Sequence, residues 1–242
     1  MALVEIPVGT VRSLYRYPVK STAGQALSAA EVTPRGLRHD RGWAAYCDDG
    51  GIASGKSTRR FRRVLGLMEW TSRMGADDDV PVLTSPAEVA HLADDPAASA
   101  ALTAAFGRSL SLRAEGTVQH HDESSIHLVT TSSIAAVEGL VGGAVDHRRC
   151  RANIVIDTGP EPGFVEEAWA GADLVVGREV VLHLGPGMPR CVMVDHTQDG
   201  VAVDPKILRS LGVHHDTTLG LQARPARTGT IRVGDVVTLR TE

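Results

Sequence analysis

The sequence predicts a β-rich α+β protein with a barrel-like arrangement of strands. Short runs rich in Val, Ile and Leu recur along the 242 residues, separated by clusters of Gly, Pro, Asn and Asp that favour turns. Only about three segments have the periodicity of an amphipathic helix. The chain is 43% hydrophobic but only 4% aromatic, so its core must consist mostly of Val, Leu, Ile and Ala.

The first half of the chain is dominated by predicted strands, which cover residues 8–19, 27–33, 42–47, 64–71, 80–83, 88–92 and 109–114. Residues 48–51 (DDGG) predict a hairpin turn, and the acidic residues 75–79 predict a surface loop. One helix is predicted, because Asp95 suits an N-cap, Pro96 suits the first helical position and Gly107 follows the last turn. We expect residues 1–118 to form one domain, with the polar residues 116–125 as a boundary or a mobile loop.

Residues 119–242 are expected to form a second domain. Its predicted strands cover residues 126–130, 149–156 and 190–194, with hairpins at residues 174–184 and 229–239. One helix is predicted to begin at residues 131–133 (TSS) and end at Gly142, and another to begin at residues 204–205 (DP) and end at Gly212. A tight turn or loop is predicted at residues 185–187 (GPG), and a further turn at residues 199–200 (DG).

Composition and charge argue against several classes of protein. The formal net charge of −4 argues against a general nucleic-acid binder. No apolar run approaches the roughly 20 residues of a membrane-spanning helix, and residues 1–10 lack the features of a signal peptide. We therefore expect a cytoplasmic protein. The cysteines, Cys47, Cys150 and Cys191, are odd in number and lack metal-finger spacing, which argues against a disulfide framework.

Of the three cysteines, Cys191 is the candidate for a chemical role. It directly follows Arg190, and a neighbouring cation stabilises the thiolate that binds metals. The alternative is structural, because a free cysteine is usually a small buried apolar residue. Cys47 and Cys150 alternate with apolar neighbours, so we place both of them in the core.

Several cations and hydroxyl groups are candidates for holding an anion. Lys20 and Ser21 follow the first predicted strand, where a lysine is usually solvated but can also anchor a phosphate. In the strand at residues 149–156 a period of two puts Arg151 and Asn153 on one face, and both can bind phosphate or the edge of a heterocycle. The TSS sequence at residues 131–133 is explained by helix capping, and the same groups would also hold an anion.

A cationic run and two histidine pairs also need an interpretation. Residues 56–63 (KSTRRFRR) carry five cations, which is typical of a solvated face but would also attract a small polyanion. The histidines at residues 120–121 and 214–215 lack the HExxH or CxxC spacing of common zinc sites, which disfavours a zinc interpretation.

Together these motifs resemble the MOSC family, the molybdenum-cofactor-sulfurase C-terminal domain proteins, and within it the amidoxime-reducing component and its bacterial relatives. The resemblance is carried, in order, by YPVKS at residues 17–21, DRGW at 40–43, RANIV at 151–155, Trp169, RC at 190–191 and IRVGD at 231–235. It runs from about residue 8 to residue 239 and implies a MOSC-type β-barrel with an N-terminal β-barrel subdomain and a few short helices.

The resemblance implies a molybdenum pyranopterin cofactor. The family's RC cysteine, its molybdenum ligand and catalytic residue, maps onto Cys191. The residues that line the cofactor in the family map onto Lys20, Ser21, Arg41, Thr131, Ser132, Ser133, Arg151 and Asn153. Ala152 replaces the usual proline of the family's RPN motif, and the residues around Lys56 depart from the amidoxime reducers. At the level of the family, pyridoxal phosphate binding is implied as well.

The resulting hypothesis is a molybdenum-dependent oxidoreductase that reduces N-hydroxylated or N-oxide substrates. The sequence has neither the four cysteines of a typical iron–sulfur cluster nor a dinucleotide-binding fingerprint. Electrons are therefore expected from a partner protein of the ferredoxin or flavin reductase type. Two alternatives stay open: a sulfur carrier with a persulfide on Cys191, and a module that binds the cofactor without turnover.

Overall fold

The computed structural model describes residues 4–75 and 79–241, so residues 76–78 of the predicted acidic loop lie outside the described residues. The strands of the first half are β1 (Val4–Arg16), β2 (Gln25–Leu27), β3 (Ala29–Thr33), β4 (Gly36–Leu37), β5 (Trp43–Cys47), β6 (Ile52–Ser54), β7 (Phe61–Arg63), β8 (Thr71–Arg73), β9 (Val82–Thr84), β10 (Ala90–Leu92) and β11 (Leu110–Ala114). Those of the second half are β12 (Ile126–Thr130), β13 (Ile154–Asp157), β14 (Asp173–Val176), β15 (Val180–Pro189), β16 (Thr218–Arg227), β17 (Gly229–Arg232) and β18 (Val236–Thr241). The α-helices of the described residues are α1 (Pro96–Phe106), α2 (Thr131–Val141) and α3 (Ile207–His214).

Seven of the described strands close into a barrel. Their order is β13-β12-β16-β15-β14-β18-β1, and β1 pairs back with β13. Since side chains alternate between the two faces of a strand, every second residue points inward, and Leu128, Leu174 and Leu182 are fully buried inside. The prediction of a β-rich α+β barrel with an aliphatic core is therefore confirmed.

A second hydrophobic core lies in the first half of the chain. The sheet β11-β5-β6-β7 and helix α1 pack around Trp70, Leu102 and Leu110. Cys47 belongs to this core, whereas Cys150 packs with residues of α2 and α3, and both cysteines are only 2% exposed. The prediction that both cysteines are buried is confirmed.

The caps of the first two helices follow the chemistry of their end residues. Asp95 accepts a hydrogen bond from the Ala97 amide at 2.8 Å, and Gly107 ends α1 in a left-handed conformation, as predicted. The N-cap of α2 is Thr130, whose hydroxyl accepts from the Ser133 amide at 3.1 Å, and it precedes the predicted TSS cap. In the described part of the chain, none of the helices has both the length and the apolar character needed to cross a bilayer.

Three predicted strands are wrong because short 3-10 helices occupy part of each. The turn His147–Cys150 is capped by the Asp146 carboxylate, so the strand predicted at residues 149–156 begins only at Ile154. The turns Leu67–Glu69 and Val192–Val194 take the place of the strands predicted at residues 64–71 and 190–194, and of these residues only Thr71 belongs to a strand, β8. Arg151 and Asn153 therefore do not share a strand face.

One predicted turn, one predicted hairpin and one predicted helix end in the second half are also wrong. Residues 185–187 lie inside β15, where the pairing with β16 is irregular, and do not form a turn. Strands β17 and β18 do not pair with each other as a hairpin, because β17 pairs with β3 while β18 pairs with β1 and β14. Helix α3 runs past Gly212 to His214.

Candidate functional site

A cleft at one end of the barrel brings together six of the nine residues predicted for the site: Lys20, Ser21, Arg41, Arg151, Asn153 and Cys191. It is also lined by Ser54, Lys56, His121, Asp122, Glu123, Ser124, His127, Cys150, Met188, Pro189, Arg190 and Met193. These residues come from the loop after β1, the end of β6, the start of β12, the segment just before β13, the end of β15 and other connecting loops. The lining contains five Lys and Arg side chains but only two carboxylates. The cleft is therefore locally positive, although the protein has a net charge of −4.

The end of β1 positions Lys20 and Arg41 next to each other. The chain leaves the strand at Arg16, and the Tyr17 amide donates a hydrogen bond to the Asp40 carboxylate at 2.8 Å. The Lys20 amide then donates to the carbonyl of Trp43 at 2.7 Å. These two contacts join the YPVKS and DRGW segments, which are separate in the sequence.

Three of the predicted site residues have a left-handed backbone: Ser21 with φ of 65°, and Arg41 and Arg151 each with φ of 52°. Non-glycine residues seldom adopt this conformation, because the Cβ atom crowds the backbone. Such residues cost roughly 1–3 kcal/mol each and are concentrated at functional sites. The strained backbone therefore marks this cleft as a candidate functional site on geometric grounds.

Tyr17 orients two of the arginines. The guanidinium carbons of Arg41 and Arg151 lie 4.8 and 4.3 Å from the centroid of its ring, within the range of a cation–π contact. The Tyr17 hydroxyl donates to the Ala152 carbonyl at 3.4 Å, and burial raises the pKa of Tyr17 to about 12. A buried, neutral phenol thus holds both cations at the cleft.

Lys20 is a buried cation with a shared counter-ion. Its side chain is 6% exposed, and its Nζ donates to Asp122, whose other carboxylate oxygen accepts from Lys56. Burial lowers the pKa of Lys20 to about 8, although Asp122 acts in the opposite direction. Lys20 therefore remains largely protonated at neutral pH.

Arg41 is neutralised by a fully buried carboxylate. Its guanidinium donates to Asp40, and it also donates to the Arg151 carbonyl at 3.2 Å. Burial alone would raise the pKa of Asp40, but Arg41, His121 and the Tyr17 amide hold this pKa well below its ordinary value. The carboxylate stays ionised and fixes the position of Arg41.

Arg151 and Arg190 each have a buried N–H without a partner among the described residues. The unpartnered atoms are Nη1 of Arg151 and Nε of Arg190. Burial lowers the pKa of Arg151 to about 10, so this side chain is still charged at neutral pH. Since a buried donor without an acceptor is costly, these two arginines are suited to an anionic ligand in the cleft.

Asn153 lines the cleft, but its amide group is used within the protein. Its Oδ1 accepts from the His127 amide at 3.1 Å, and its Nδ2 donates to the Tyr15 carbonyl at 3.2 Å. The side chain therefore joins β1 to β12 just before β13 begins. A direct contact from Asn153 to a cofactor stays a prediction.

The cleft contains two thiols in different environments. Cys150 is 2% exposed, and burial raises the pKa of its thiol to about 11. Cys191 is half-buried, has no disulfide partner among the described cysteines, and directly precedes the turn Val192–Val194. Arg190 donates to the Cys150 carbonyl at 2.7 Å and so links the two cysteine segments.

Thr131, Ser132 and Ser133 do not line this cleft. Ser133 donates to the buried Glu166 carboxylate at 2.6 Å, Ser132 pairs with the Thr158 hydroxyl at 2.8 Å, and Thr131 lies 3.4 Å from Asp157. Their hydroxyl groups tie the start of α2 to neighbouring loops. A role for these three residues in cofactor binding stays a prediction.

Sequence reasoning missed Tyr17, Asp122 and Arg190 as site residues, and it interpreted residues 116–125 as a boundary or mobile loop. In the structure His120 is fully buried, and its Nδ1 lies 3.0 Å from the Arg41 carbonyl. Burial lowers the pKa of His120 to about 4, so it is neutral. Tyr17 and Arg190 belong to the YPVKS and RC motifs, whereas the signal for Asp122 was the concentration of titratable groups in HHD at residues 120–122.

The cationic run at residues 56–63 is only partly solvated. Lys56 contacts Asp122, Arg60 donates to the His121 carbonyl at 2.8 Å, and Arg62 pairs with Asp49. Arg59 and Arg63 are exposed. The expectation of a solvated face therefore applies to these two arginines but not to the rest of the run.

The fold and the cleft define a class of protein: a β-barrel with a positively charged cleft next to a half-buried thiol. Comparison with protein families makes this class specific, because the MOSC domain matches residues 115–238 and the MOSC N-terminal beta barrel domain matches residues 8–116. The chain belongs to the MOSC-domain family. At the level of this family the domain is linked to binding of the molybdenum cofactor.

Individual relatives are distant or match only in part. The "Mitochondrial amidoxime reducing component 2" of Bos taurus is 43% identical over 53 residues, which are 20% of this chain and 16% of that protein. A crystal structure of the YUAD protein from Bacillus subtilis superimposes with a TM-score of 0.55 at 11% identity, covering 100% of this chain and 98% of that chain. The YiiM structure from Geobacillus stearothermophilus covers 49% and 55%, with 14% identity and a TM-score of 0.38. The YUAD likeness supports the fold alone.

Proposed function

We propose that the cleft binds a molybdenum pyranopterin cofactor and that the protein reduces N-hydroxylated or N-oxide substrates. The observation that carries this proposal is the unpartnered, buried guanidinium N–H of Arg151 in a cation-rich cleft that also presents Cys191. The family link to the molybdenum cofactor supports the choice of ligand. When bound, the cofactor would supply two-electron redox chemistry at the metal.

The phosphate end of the cofactor matches the charges in the cleft. A phosphomonoester carries nearly two negative charges at neutral pH. Arg151 and Arg190 each offer a free buried donor, and charge-assisted hydrogen bonds from such groups are among the stronger ones in proteins. Lys20 and Ser21 would complete the anion site, because both line the same cleft.

Cys191 is the thiol suited to the metal. Cys150, the other thiol of the cleft, remains protonated at neutral pH because its pKa is about 11. Metal coordination requires the thiolate, and Cys191 is less buried than Cys150. We therefore assign Cys191 as the one protein ligand of molybdenum.

The proposed reaction consumes two electrons and two protons for each N–O bond that is cleaved. A hydroxylamine becomes an amine, an N-oxide becomes the parent amine, and the oxygen leaves as water. The electrons would come from a partner protein of the ferredoxin or flavin reductase type. The partial similarity to the bovine amidoxime reducing component supports a reductase of N-oxygenated compounds.

The test is metal and pterin analysis of the full chain, purified from a host that synthesises the cofactor. We expect molybdenum and pterin in nearly equal amounts, and turnover of a hydroxylamine or amidoxime with reduced viologen. A protein without molybdenum but with a persulfide on Cys191, seen by mass spectrometry, would identify a sulfur carrier instead. A loaded protein without turnover would identify a binding module.

A further inference from the structure

Asp122 forms ion pairs with two cations, Lys20 and Lys56, that an anionic ligand in the cleft would need. One of its carboxylate oxygens accepts from Lys20 Nζ and the other from Lys56 Nζ, and all three residues line the cleft. Burial alone would raise the pKa of Asp122, but the two lysines hold this pKa well below its ordinary value. The carboxylate is thus ionised and fills the place of an external anion.

The two sides of this ion pair differ in their freedom to move. The Lys20 side chain is 6% exposed and its amide is fixed by the Trp43 carbonyl, whereas the Asp122 side chain is 32% exposed. Asp122 can therefore turn toward solvent without burying an unpaired charge, but Lys20 has no such route. If the pair separates, the carboxylate is the partner that leaves.

Asp40, the carboxylate that pairs with Arg41, has no comparable freedom. Its side chain is 0% exposed, and it accepts hydrogen bonds from both Arg41 and the Tyr17 amide. Removing it would leave the largely buried charge of Arg41 without a counter-ion. Asp40 is a permanent counter-ion, in contrast to Asp122 at the rim.

We propose that Asp122 is an intramolecular competitor that neutralises Lys20 in the empty cleft and leaves it when a ligand bearing a phosphate group binds. A competing internal state weakens the apparent affinity for every ligand by the fraction of molecules in which the cations are free. Free inorganic anions, which make few other contacts, would then bind the wild-type protein only weakly and saturate it only at high millimolar concentration. A larger phosphate-bearing ligand would still bind through its other contacts. The inference rests on the proposed function only in placing a phosphate group in this cleft.

The experiment measures binding of inorganic phosphate to the full chain, purified from a host that lacks cofactor synthesis, by calorimetry at constant ionic strength. Asp122→Asn is expected to tighten phosphate binding at least tenfold. Glu123→Gln is the matched control, because Glu123 lines the same cleft and has no ion pair among the described residues. It removes the same charge without freeing Lys20, and we expect less than a twofold change.

A second measurement needs no substitution at Asp122. In the wild-type protein, saturation with phosphate should shift the backbone amide resonances of residues 121–123, because the Asp122 side chain changes its position. Equal phosphate affinities in the two variants, undetectable phosphate binding in both, or unmoved resonances at saturation would each overturn the inference. Cofactor loading is measured on separate protein from a cofactor-producing host, so failure here leaves the test of the proposed function unaffected.

Discussion

The cations on the two walls of the cleft differ in whether the protein itself provides their hydrogen-bond and ion-pair partners. The N-terminal wall, defined by Lys20, Ser21 and Arg41, supplies each cation with a carboxylate of the protein itself, Asp122 or Asp40. The C-terminal wall, defined by Arg151, Arg190 and Cys191, leaves two guanidinium N–H groups unpartnered among the described residues. The first wall is thus balanced internally, whereas the second depends on a ligand to satisfy its buried donors.

The largest effect is expected at the thiol of the C-terminal wall. Cys191→Ala should abolish turnover and molybdenum content while leaving the melting temperature nearly unchanged, because the proposed metal–sulfur bond is lost and the fold does not depend on it. Cys150→Ala is the matched control and should retain molybdenum at a stability cost of about 1 kcal/mol. Loss of metal in the Cys150 variant alone would mean that the wrong cysteine has been assigned.

The internal balance of the N-terminal wall can be broken at Asp40. Asp40→Asn should lower the free energy of unfolding by about 3–5 kcal/mol, because it leaves Arg41, whose side chain is only 15% exposed, without its carboxylate. Denaturant titration measures this loss, with Asp49→Asn as a control that removes the half-exposed partner of Arg62. An equally small loss in both variants would contradict the difference between buried and exposed pairs.

The Asp40 carboxylate should make the stability of the folded protein fall at acidic pH. The pKa of Asp40 is lowered in the folded protein, so its stabilising contribution is present above the unfolded pKa of roughly 4 and is lost as the pH falls further. Acid titration of the wild-type protein should therefore show a loss of stability that is reduced in Asp40→Asn. Identical acid profiles would show that this carboxylate does not contribute.

The C-terminal wall can be tested at Arg151. Arg151→Ala removes a buried charged donor worth roughly 1.5–3 kcal/mol of binding, so pterin affinity should fall roughly ten- to hundredfold. Arg63→Ala, at an exposed position of the cationic run, should leave pterin content unchanged. Equal pterin content in the two purified variants would remove the distinction between a ligand-dependent arginine and a solvated one.

The smallest effect is expected outside the cleft, at the two exposed arginines of residues 56–63. An acidic electron-donor protein would be attracted by Arg59 and Arg63, so neutralising both should lower kcat/KM for the donor by about two- to fivefold. The difference should disappear as salt rises past about 0.15 M, where the screening length is about 8 Å. Arg209 and Arg232, which are exposed elsewhere, provide the matched double control. An unchanged salt profile would contradict docking here, and direct oxidation of NADH by the protein alone would contradict the need for a partner.

The elements that are specified locally could be predicted from the sequence. Helix α1 has its cap, its first-turn proline and its terminal glycine within thirteen residues, and the structure uses all three. The barrel strand β12 is a short run rich in aliphatic residues, and its bounds match the predicted ones. Such signals need no knowledge of distant neighbours.

The wrong predictions arise where a distant segment determines the backbone. Gly185 and Gly187 suggested a turn, but a Cβ atom at these positions would lie 3.3 Å from Gln222 and 3.2 Å from Thr218 of β16. Their role is to let β16 approach β15 closely, which is a use of glycine within a strand. The alternation at residues 149–156 likewise suggested a strand, although Asp146 caps a 3-10 turn there and Arg151 takes a left-handed conformation.

In the candidate site, too, some residues could be predicted from the sequence and others could not. Its cations could be placed through a family resemblance, because they occur in short motifs. The counter-ion of Lys20 could not, since Asp122 and Lys20 are more than one hundred residues apart in the sequence. The assignment of Asn153 illustrates a further difficulty, because a side chain that lines a cleft can still have its amide group occupied by backbone partners.

The pairing of β1 with β18 has a consequence for how the protein is made. These strands come from opposite ends of the described chain, and Val4 is the register partner of Thr241. During synthesis β18 emerges last of the described strands, so until then β1 and β14 each retain an edge of unpaired backbone groups. Open edges of this kind readily pair with other chains, and contacts between distant residues form slowly. The growing chain is therefore exposed to aggregation until β18 emerges from the ribosome and closes the barrel.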